Sequence, residues 1–332
     1  MGVTMAEHIL VTGGAGYIGS HACAALAQRG FTPVAFDNLS TGWRDAVQFG
    51  PLVHGDLLDP SAIAAAFDRF KPVAVMHFAG LSLVGQAAVD PGAYWRVNVM
   101  GALNLLQAMV AAGCDRLVFS STCAIFGDAN GDNLHEGSKQ NPLNAYGASK
   151  RAIEDMLDHF AQAHGLRAAA LRYFNVAGAD PQARIGECHR PETHLIPLAI
   201  AAAAQGGDPL TVFGTDYPTP DGTCIRDYLH VSDLIDAHLL ALDHLAQVQG
   251  AQRFNLGTGQ GASVMQVLQA TAQVLGRPVP HEFAPRRAGD AVRLVSGSDR
   301  AARILGWQAA RSTLPQMIED AARWHQTGGY QN

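Results

Sequence analysis

The chain has 332 residues, 48% of them hydrophobic, and a formal net charge of −6. That length suits one compound domain or two, and the acidic balance offers no footprint for nucleic acid or an anionic membrane as partner. Five scattered cysteines, Cys23, Cys114, Cys123, Cys188 and Cys224, with no C-x-x-C spacing, point to a reduced, cytoplasmic protein without a cysteine metal site. No basic region precedes the first apolar run, and the most apolar long stretch, "LIPLAIAAAAQGG", is too short to span a bilayer.

In chain order, "HILVT" (His8 to Thr12) is an expected strand, and "YIGSHACAALAQRG" is an expected helix ended by Gly30. Further strands are expected at "TPVAFD", "LVHGD", "VAVMHFAG", "RLVFSS" and "RAAALRYFN". Helices are expected at "SAIAAAFDRF", along the whole of "WRVNVMGALNLLQAMVAAG", and from near Tyr146. Several of these strands lack polar alternation, as strands covered on both faces do. Strands of this kind alternating with helices predict an α/β fold built on a doubly wound parallel sheet. Beyond about Asn175, proline and glycine become frequent and helices such as "VSDLIDAHLLALDHL" are separated by irregular segments. The expected division is residues 1–178 for the first domain and 179–332 for a smaller α/β substrate-binding region, with some later segments returning to the first.

"VTGGAGYIGS" follows the first strand and opens the first helix, with Gly13, Gly16 and Gly19 in a G-x-x-G-x-x-G spacing. Glycines there allow a tight turn and a close approach of backbone to a pyrophosphate, which the helix N-terminus attracts. A glycine triplet alone is weak evidence, since a turn with close helix packing also uses it. The second strand ends at Asp37, where a carboxylate can hold ribose hydroxyls and repel a 2′-phosphate, so the cofactor expected is NAD rather than NADP. Asp56, after the third strand, could reach the adenine amino group, although taken alone it is more often a helix cap.

The fifth strand ends in Ser120, Ser121 and Thr122, where ligands of an open parallel sheet bind. Local turn bonding is the ordinary use of such hydroxyls. Downstream, "NAYGASK" sets Tyr146 and Lys150 one helical turn apart on a shared face. Taken alone, that is an aromatic ring packed on a lysine stem. Beside a dinucleotide site it is a phenol, ordinarily titrating near pH 10, whose proton Lys150 and a positive nicotinamide would loosen, so that Tyr146 could act as a base on a sugar hydroxyl.

Tyr-x-x-x-Lys with an upstream threonine and the glycine loop resembles the short-chain dehydrogenase/reductase enzymes. The resemblance narrows with "HFAGLSLVGQAAVDPGAYWRVNVMGALNLLQAM", "LRYFNVAGA", "VFGTDYPTPDGTCIRDYLHVSDLIDAH", "FNLGTGQGASV" and "FAPRRAGD". These run in the order seen in UDP-galactose (UDP-glucose) 4-epimerases, over nearly the whole chain. The resemblance implies a Rossmann-like first domain in which Gly13, Gly16, Tyr17, Ile18, Gly19, Asp37, Asn38, Asp56, Leu57, Phe78, Ala79, Gly80, Asn98, Tyr146, Lys150 and Tyr173 line the NAD site. It implies Thr122 as the residue orienting the 4-hydroxyl, Tyr146 as acid/base and Lys150 as holder of the nicotinamide ribose. Asn175, His194, Leu195, Thr211, Phe213, Arg226, Arg287 and Asp290 would bind the UDP-sugar. The implied reaction is inversion of C4 through hydride transfer to bound NAD and a 4-keto sugar that turns over; the implied assembly is a homodimer.

Arginines suit a diphosphate by bidentate geometry, although without the flanking motifs Arg226 and the Arg286-Arg287 pair would read as a solvated cluster. Phe213 could stack on uracil or serve as core. His21 and His77 read as packing residues, and His21, His77 and His194 have no carboxylate or cysteine spacing that suggests a metal, so none is expected. The chain departs from the family pattern at Ser82, where some members carry lysine, at His194 for asparagine, and at Phe126 for tyrosine. At Leu294 a leucine stands where residue size is associated with admitting N-acetylated sugars. A UDP-pentose, UDP-uronate or UDP-N-acetylhexosamine 4-epimerase stays open as an alternative. A 4,6-dehydratase would want an acid pair where this chain has Cys123 and Ala124. A non-catalytic NAD-binding protein would have no use for Tyr146, Lys150 and Thr122 together.

Overall fold

The computed structural model describes residues 6–127, 133–287 and 290–330. Its strands are β1 (His8–Thr12), β2 (Thr32–Asp37), β3 (Leu52–His54), β4 (Ala74–His77), β5 (Arg116–Ser120), β6 (Arg167–Arg172), β7 (Asn175–Ala177), β8 (Leu210–Phe213), β9 (Ile225–His230), β10 (Ala251–Asn255), β11 (Gly261–Ser263), β12 (His281–Ala284) and β13 (Arg293–Leu294). Its α-helices are α1 (Tyr17–Gln28), α2 (Pro60–Phe70), α3 (Val84–Val89), α4 (Pro91–Tyr94), α5 (Gly101–Ala112), α6 (Ala145–His164), α7 (Leu195–Ala203), α8 (Val231–His244), α9 (Val264–Leu275), α10 (Asp299–Leu305) and α11 (Leu314–Gln326). None of the helices among the described residues is long and apolar enough to cross a membrane.

Seven strands form one parallel sheet in the order β10-β6-β5-β4-β1-β2-β3. The strand order reverses between β1 and β4, and the crevice beyond their carboxyl ends is where a doubly wound sheet binds its ligand. Helices cover both faces, which is why the strands read as unbroken apolar runs. On one face Ala22, Cys23 and Leu26 of α1 pack with Leu234 and Leu242 of α8 and with Trp307. On the other, Ile63 and Phe67 of α2, Leu105 and Met109 of α5, and Ile153 and Leu157 of α6 form a second layer. Each fully buried leucine or isoleucine contributes about 1.5–3 kcal/mol, so the two layers fix the sheet firmly.

Two details differ from the sequence pattern, and a later segment returns to the first sheet as that pattern allowed. The helix expected over 95–113 starts earlier, at α4, and is π-helical from Trp95 to Met100. The widened turn carries Asn98, whose buried amide brackets the Leu81 backbone and donates to Ser149. The strand expected to run to Asn175 leaves the sheet after Arg172, and β7 pairs with β9 in a second sheet of β7, β9, β11 and β13. The large sheet takes its edge strand β10 from far down the chain, paired in parallel with β6. The smaller region also holds the β8–β12 pair, with α7, α9 and α11 packed against it and the second sheet.

Candidate active site

A cavity of about 680 Å³ opens beyond the carboxyl ends of the parallel strands. Its floor is the β1–α1 turn. Gly13 has φ +72°, and a Cβ there would lie 2.6 Å from the Ala79 nitrogen, so only glycine permits this crossing of two strands' ends. Gly16 caps α1 with no side-chain bond, leaving the first N–H groups of the helix for an anion. Asp37 closes β2 and accepts from the Ala15 and Leu39 nitrogens at 3.0 and 2.8 Å. Burial pushes its carboxyl above the usual range against those hydrogen bonds. Asn38 donates to Asp56 at 2.9 Å, so the ends of β2 and β3 are tied side by side. Asp56 also accepts from the Leu58 nitrogen and lines the cleft, while the helix-cap role weighed for it falls to Asp59 at the start of α2. A Cβ-intolerant turn, an uncapped helix start and a carboxylate at the next strand end suit a dinucleotide such as NAD.

The second wall comes from β5, β6 and α6. Asn144 caps α6 by accepting from the Gly147 nitrogen at 2.9 Å. A Cβ at Gly147 would lie 2.5 Å from the Ala124 carbonyl oxygen, and this close approach brings the first turn of α6 against the segment after β5. Tyr146 thereby lines the same cavity as Thr122, whose hydroxyl favours the phenolate form. Lys150 donates to the Ser120 carbonyl at 2.8 Å and lies 4.9 Å above the Phe119 ring. The Ser120 hydroxyl pairs with that of Tyr173. One turn beyond Lys150, buried Glu154 accepts from Ser121 at 2.5 Å and from the Arg172 Nε at 2.9 Å, so α6 is clamped to the ends of β5 and β6.

Lys150 by itself does not loosen the phenol; the expected loosening is joint with a positive nicotinamide. Burial pushes Tyr146 up to about 12, and the Thr122 hydrogen bond offsets only part of that rise. Burial lowers Lys150 to about 8, and its ammonium is spent on Ser120 and Phe119. Desolvation of a charge outweighs a neighbour that is itself desolvated.

The third wall comes from the smaller region. Arg226 sits inside β9, whose register with β13 sets it beside Leu294. Its guanidinium donates to the Ala291 carbonyl at 2.9 Å and lies 3.9 Å from Asp290. Asp290 also accepts from Arg287 at 3.0 Å, and the Arg287 guanidinium stands 4.9 Å over the Phe213 ring. Ala288 and Gly289 of the same segment lie outside the described residues.

The cavity brings together the sequence candidates Gly13, Gly16, Tyr17, Ile18, Gly19, Asp37, Asn38, Asp56, Leu57, Phe78, Ala79, Gly80, Thr122, Tyr146, Lys150, Tyr173, Asn175, His194, Arg226, Arg287 and Asp290. Asn98, Leu195, Thr211 and Phe213 fall outside its lining. Asn98 stands behind the Gly80–Leu81 wall, and Leu195 packs into the core under α7. Two titratable lining residues escaped the sequence reading, Glu187 and His189. Together with Glu192 they surround His194, which the spacing argument had left without acidic neighbours. His194 lies 2.7 Å from Glu187 and 2.9 Å from Glu192. Burial disfavours both imidazolium ions, yet the two carboxylates outweigh it and raise His189 to about 9 and His194 to about 10. The repeated Glu-x-His in "ECHRPETH" was the available signal.

Residues 9–257 match the NAD dependent epimerase/dehydratase family. The chain is 48% identical over 319 residues to a UDP-glucose 4-epimerase of Rhizobium meliloti, covering 96% of this chain and 97% of that one. The structure of a UDP-glucose 4-epimerase from Brucella ovis in complex with NAD superposes with a TM-score of 0.93 at 47% identity, covering 96% and 98%. That of a UDP-glucose-4-epimerase from Stenotrophomonas maltophila, with bound NAD and formylated UDP-arabinopyranose, gives 0.93 at 38%, covering 97% and 98%. With a matching sheet, a matching length and family-level identity throughout, this chain belongs to the NAD dependent epimerase/dehydratase family, among its UDP-glucose 4-epimerases.

Proposed function

We infer that the chain inverts C4 of the hexose of a UDP-sugar, interconverting UDP-galactose and UDP-glucose with NAD as its resident cofactor. The observation that carries this reading is the Thr122–Tyr146 hydroxyl pair, set in one cavity with the glycine turn on one side and Arg226 on the other. NAD, when bound, supplies a hydride acceptor for sugar C4 and a positive ring that favours a phenolate. Gly13, Tyr17, Asp37 and Lys150 would hold it. Thr122 orients the 4-hydroxyl, and Tyr146 exchanges the hydroxyl proton in both directions. Because burial keeps Tyr146 protonated on its own, the phenol becomes a base only with cationic help. Arg226 and Arg287 anchor the diphosphate, while the sugar end meets the apolar Leu294 and few directional donors, which leaves the hexose free to turn.

The test is conversion of UDP-galactose to UDP-glucose by purified chain without added cofactor; no conversion, with NAD retained, overturns the reading. The Stenotrophomonas complex holds a UDP-pentose derivative, and Leu294 is neither large nor minimal, so UDP-xylose and UDP-N-acetylgalactosamine assayed alongside define the substrate range. A homodimer, checked by analytical ultracentrifugation, and a cytoplasmic location, checked by fractionation, follow from the family resemblance.

A further inference from the structure

Glu187, His189, Glu192 and His194 fall within eight consecutive residues in the pattern Glu-x-His-x-x-Glu-x-His. One potential ligand atom from each lies within 4.8 Å of every other. Both histidines aim the same ring nitrogen, Nδ1, at the carboxylates. His194 stands 2.7 Å from Glu187 and 2.9 Å from Glu192, and His189 stands 3.1 Å from Glu187 and 3.8 Å from Glu192. The two imidazole rings are 4.9 Å apart. A tetrahedral ion with bonds of about 2.0–2.2 Å spaces its ligand atoms about 3.4 Å apart, and the observed separations bracket that edge. Glu187 is buried, so its charge needs a fixed counter-charge.

We propose that Glu187, His189, Glu192 and His194 form a site for one divalent transition-metal cation of the zinc class, on the wall of the active-site cavity. Two carboxylates and two neutral imidazoles balance a doubly charged ion. Two nitrogen donors favour zinc or cobalt over magnesium or calcium, which take oxygen ligands. Metal and protons compete for the same nitrogens, so uptake releases protons. Among the described residues no hydrogen bond or ion pair joins the cluster to Thr122 or Tyr146, so the ion is assigned no part in the hydride or proton transfers. Its place is at the start of α7, where His194 is the capping residue. There it fastens the loop of residues 187–194 to the cavity wall.

The readout is metal itself, and it is independent of epimerase activity. Full-length protein is stripped with a chelator, dialysed, and titrated with zinc and with cobalt. One equivalent of zinc per chain is expected, with a rise in Tm on binding and the visible absorption bands of tetrahedral cobalt. His189→Ala should weaken zinc binding at least about a hundredfold, more than loss of a supporting residue costs, and remove the Tm rise. Exposed His159→Ala should bind as the parent does. His189→Gln is the substitute if the alanine variant does not fold. Failure to take up either metal, or parental affinity in the His189 variants, overturns the site.

Discussion

The wall built from β5, β6 and α6 and the wall built from β9, β13 and the loop before them solve opposite problems. In the first, the charged pair at its centre is buried and clamped: Glu154 and Arg172 are each 2% exposed in their side chains and hold each other, with Ser121 on the same carboxylate. In the second, the charges stand partly in water, with the Arg226 side chain 13% exposed and that of Arg287 60% exposed, and Asp290 between them. A proton moves productively only between atoms held at hydrogen-bond distance, so the first wall spends its interactions on rigidity. On the proposed reading a diphosphate, which carries charge of its own, would displace these weak ion pairs, so guanidiniums that are paired but exchangeable suit the second wall.

The largest effect expected is on the clamp. Glu154→Ala leaves Arg172 buried and unpaired and should cost about 3–5 kcal/mol in denaturant unfolding; a loss under 1 kcal/mol would mean that the two walls are equally soft. Tyr146→Phe should lower kcat at least about a hundredfold with stability and cavity kept, and near-parental turnover would remove the chemistry from the first wall.

Lys150 supplies a test by pH. Its folded pKa of about 8 lies below the ordinary lysine value of 10.5, so the folded state binds fewer protons than the unfolded chain between those values. Unfolding free energy therefore rises with pH across that window, and the penalty for burying the ammonium is complete below pH 8. Relative to the Lys150→Met protein, the parent should gain on the order of 2 kcal/mol from pH 7.5 to 10.5; a gap that does not change with pH counts against the buried cation.

On the second wall, Arg226→Ala should raise the KM for UDP-galactose about thirtyfold, as loss of a charged hydrogen bond does, with kcat changed less. Arg287→Ala, more exposed, should do so by a smaller factor, and the reverse order would contradict the assignment of the inner guanidinium as the anchor. The smallest effect is on the cofactor side: Asp37→Ala should weaken NAD about tenfold and narrow its preference over NADP, measured by retention of the dinucleotide through gel filtration.

The alternation of apolar runs and helical patterns was enough to read β1 to β6 and α1, α2, α5 and α6, because a strand covered on both faces must be apolar throughout and α6 needs its Asn144 cap. Gly13, Asp37, Tyr146 and Lys150 were legible for the same reason: each sits at a fixed place in a local strand–turn–helix unit. The second wall was less legible. Nothing local puts Arg226 inside a strand, since β9 is held by partners at Asn175–Ala177, Gly261–Ser263 and Arg293–Leu294, all remote in sequence. Asn98 reads as a cofactor residue by resemblance, and only the π-helical turn shows its amide committed to Leu81.

Local pattern therefore determined the parallel sheet, the glycine turn before α1 and the Tyr146–Lys150 pair, because hydrophobic period and turn chemistry act over a few residues. Tertiary structure alone decided that Tyr146 is held protonated, that Arg226 and Arg287 share Asp290, and that two Glu-x-His triplets converge. Burial, charge pairing and ligand geometry depend on which distant segments exclude water from a group, and that is settled only when the layers pack.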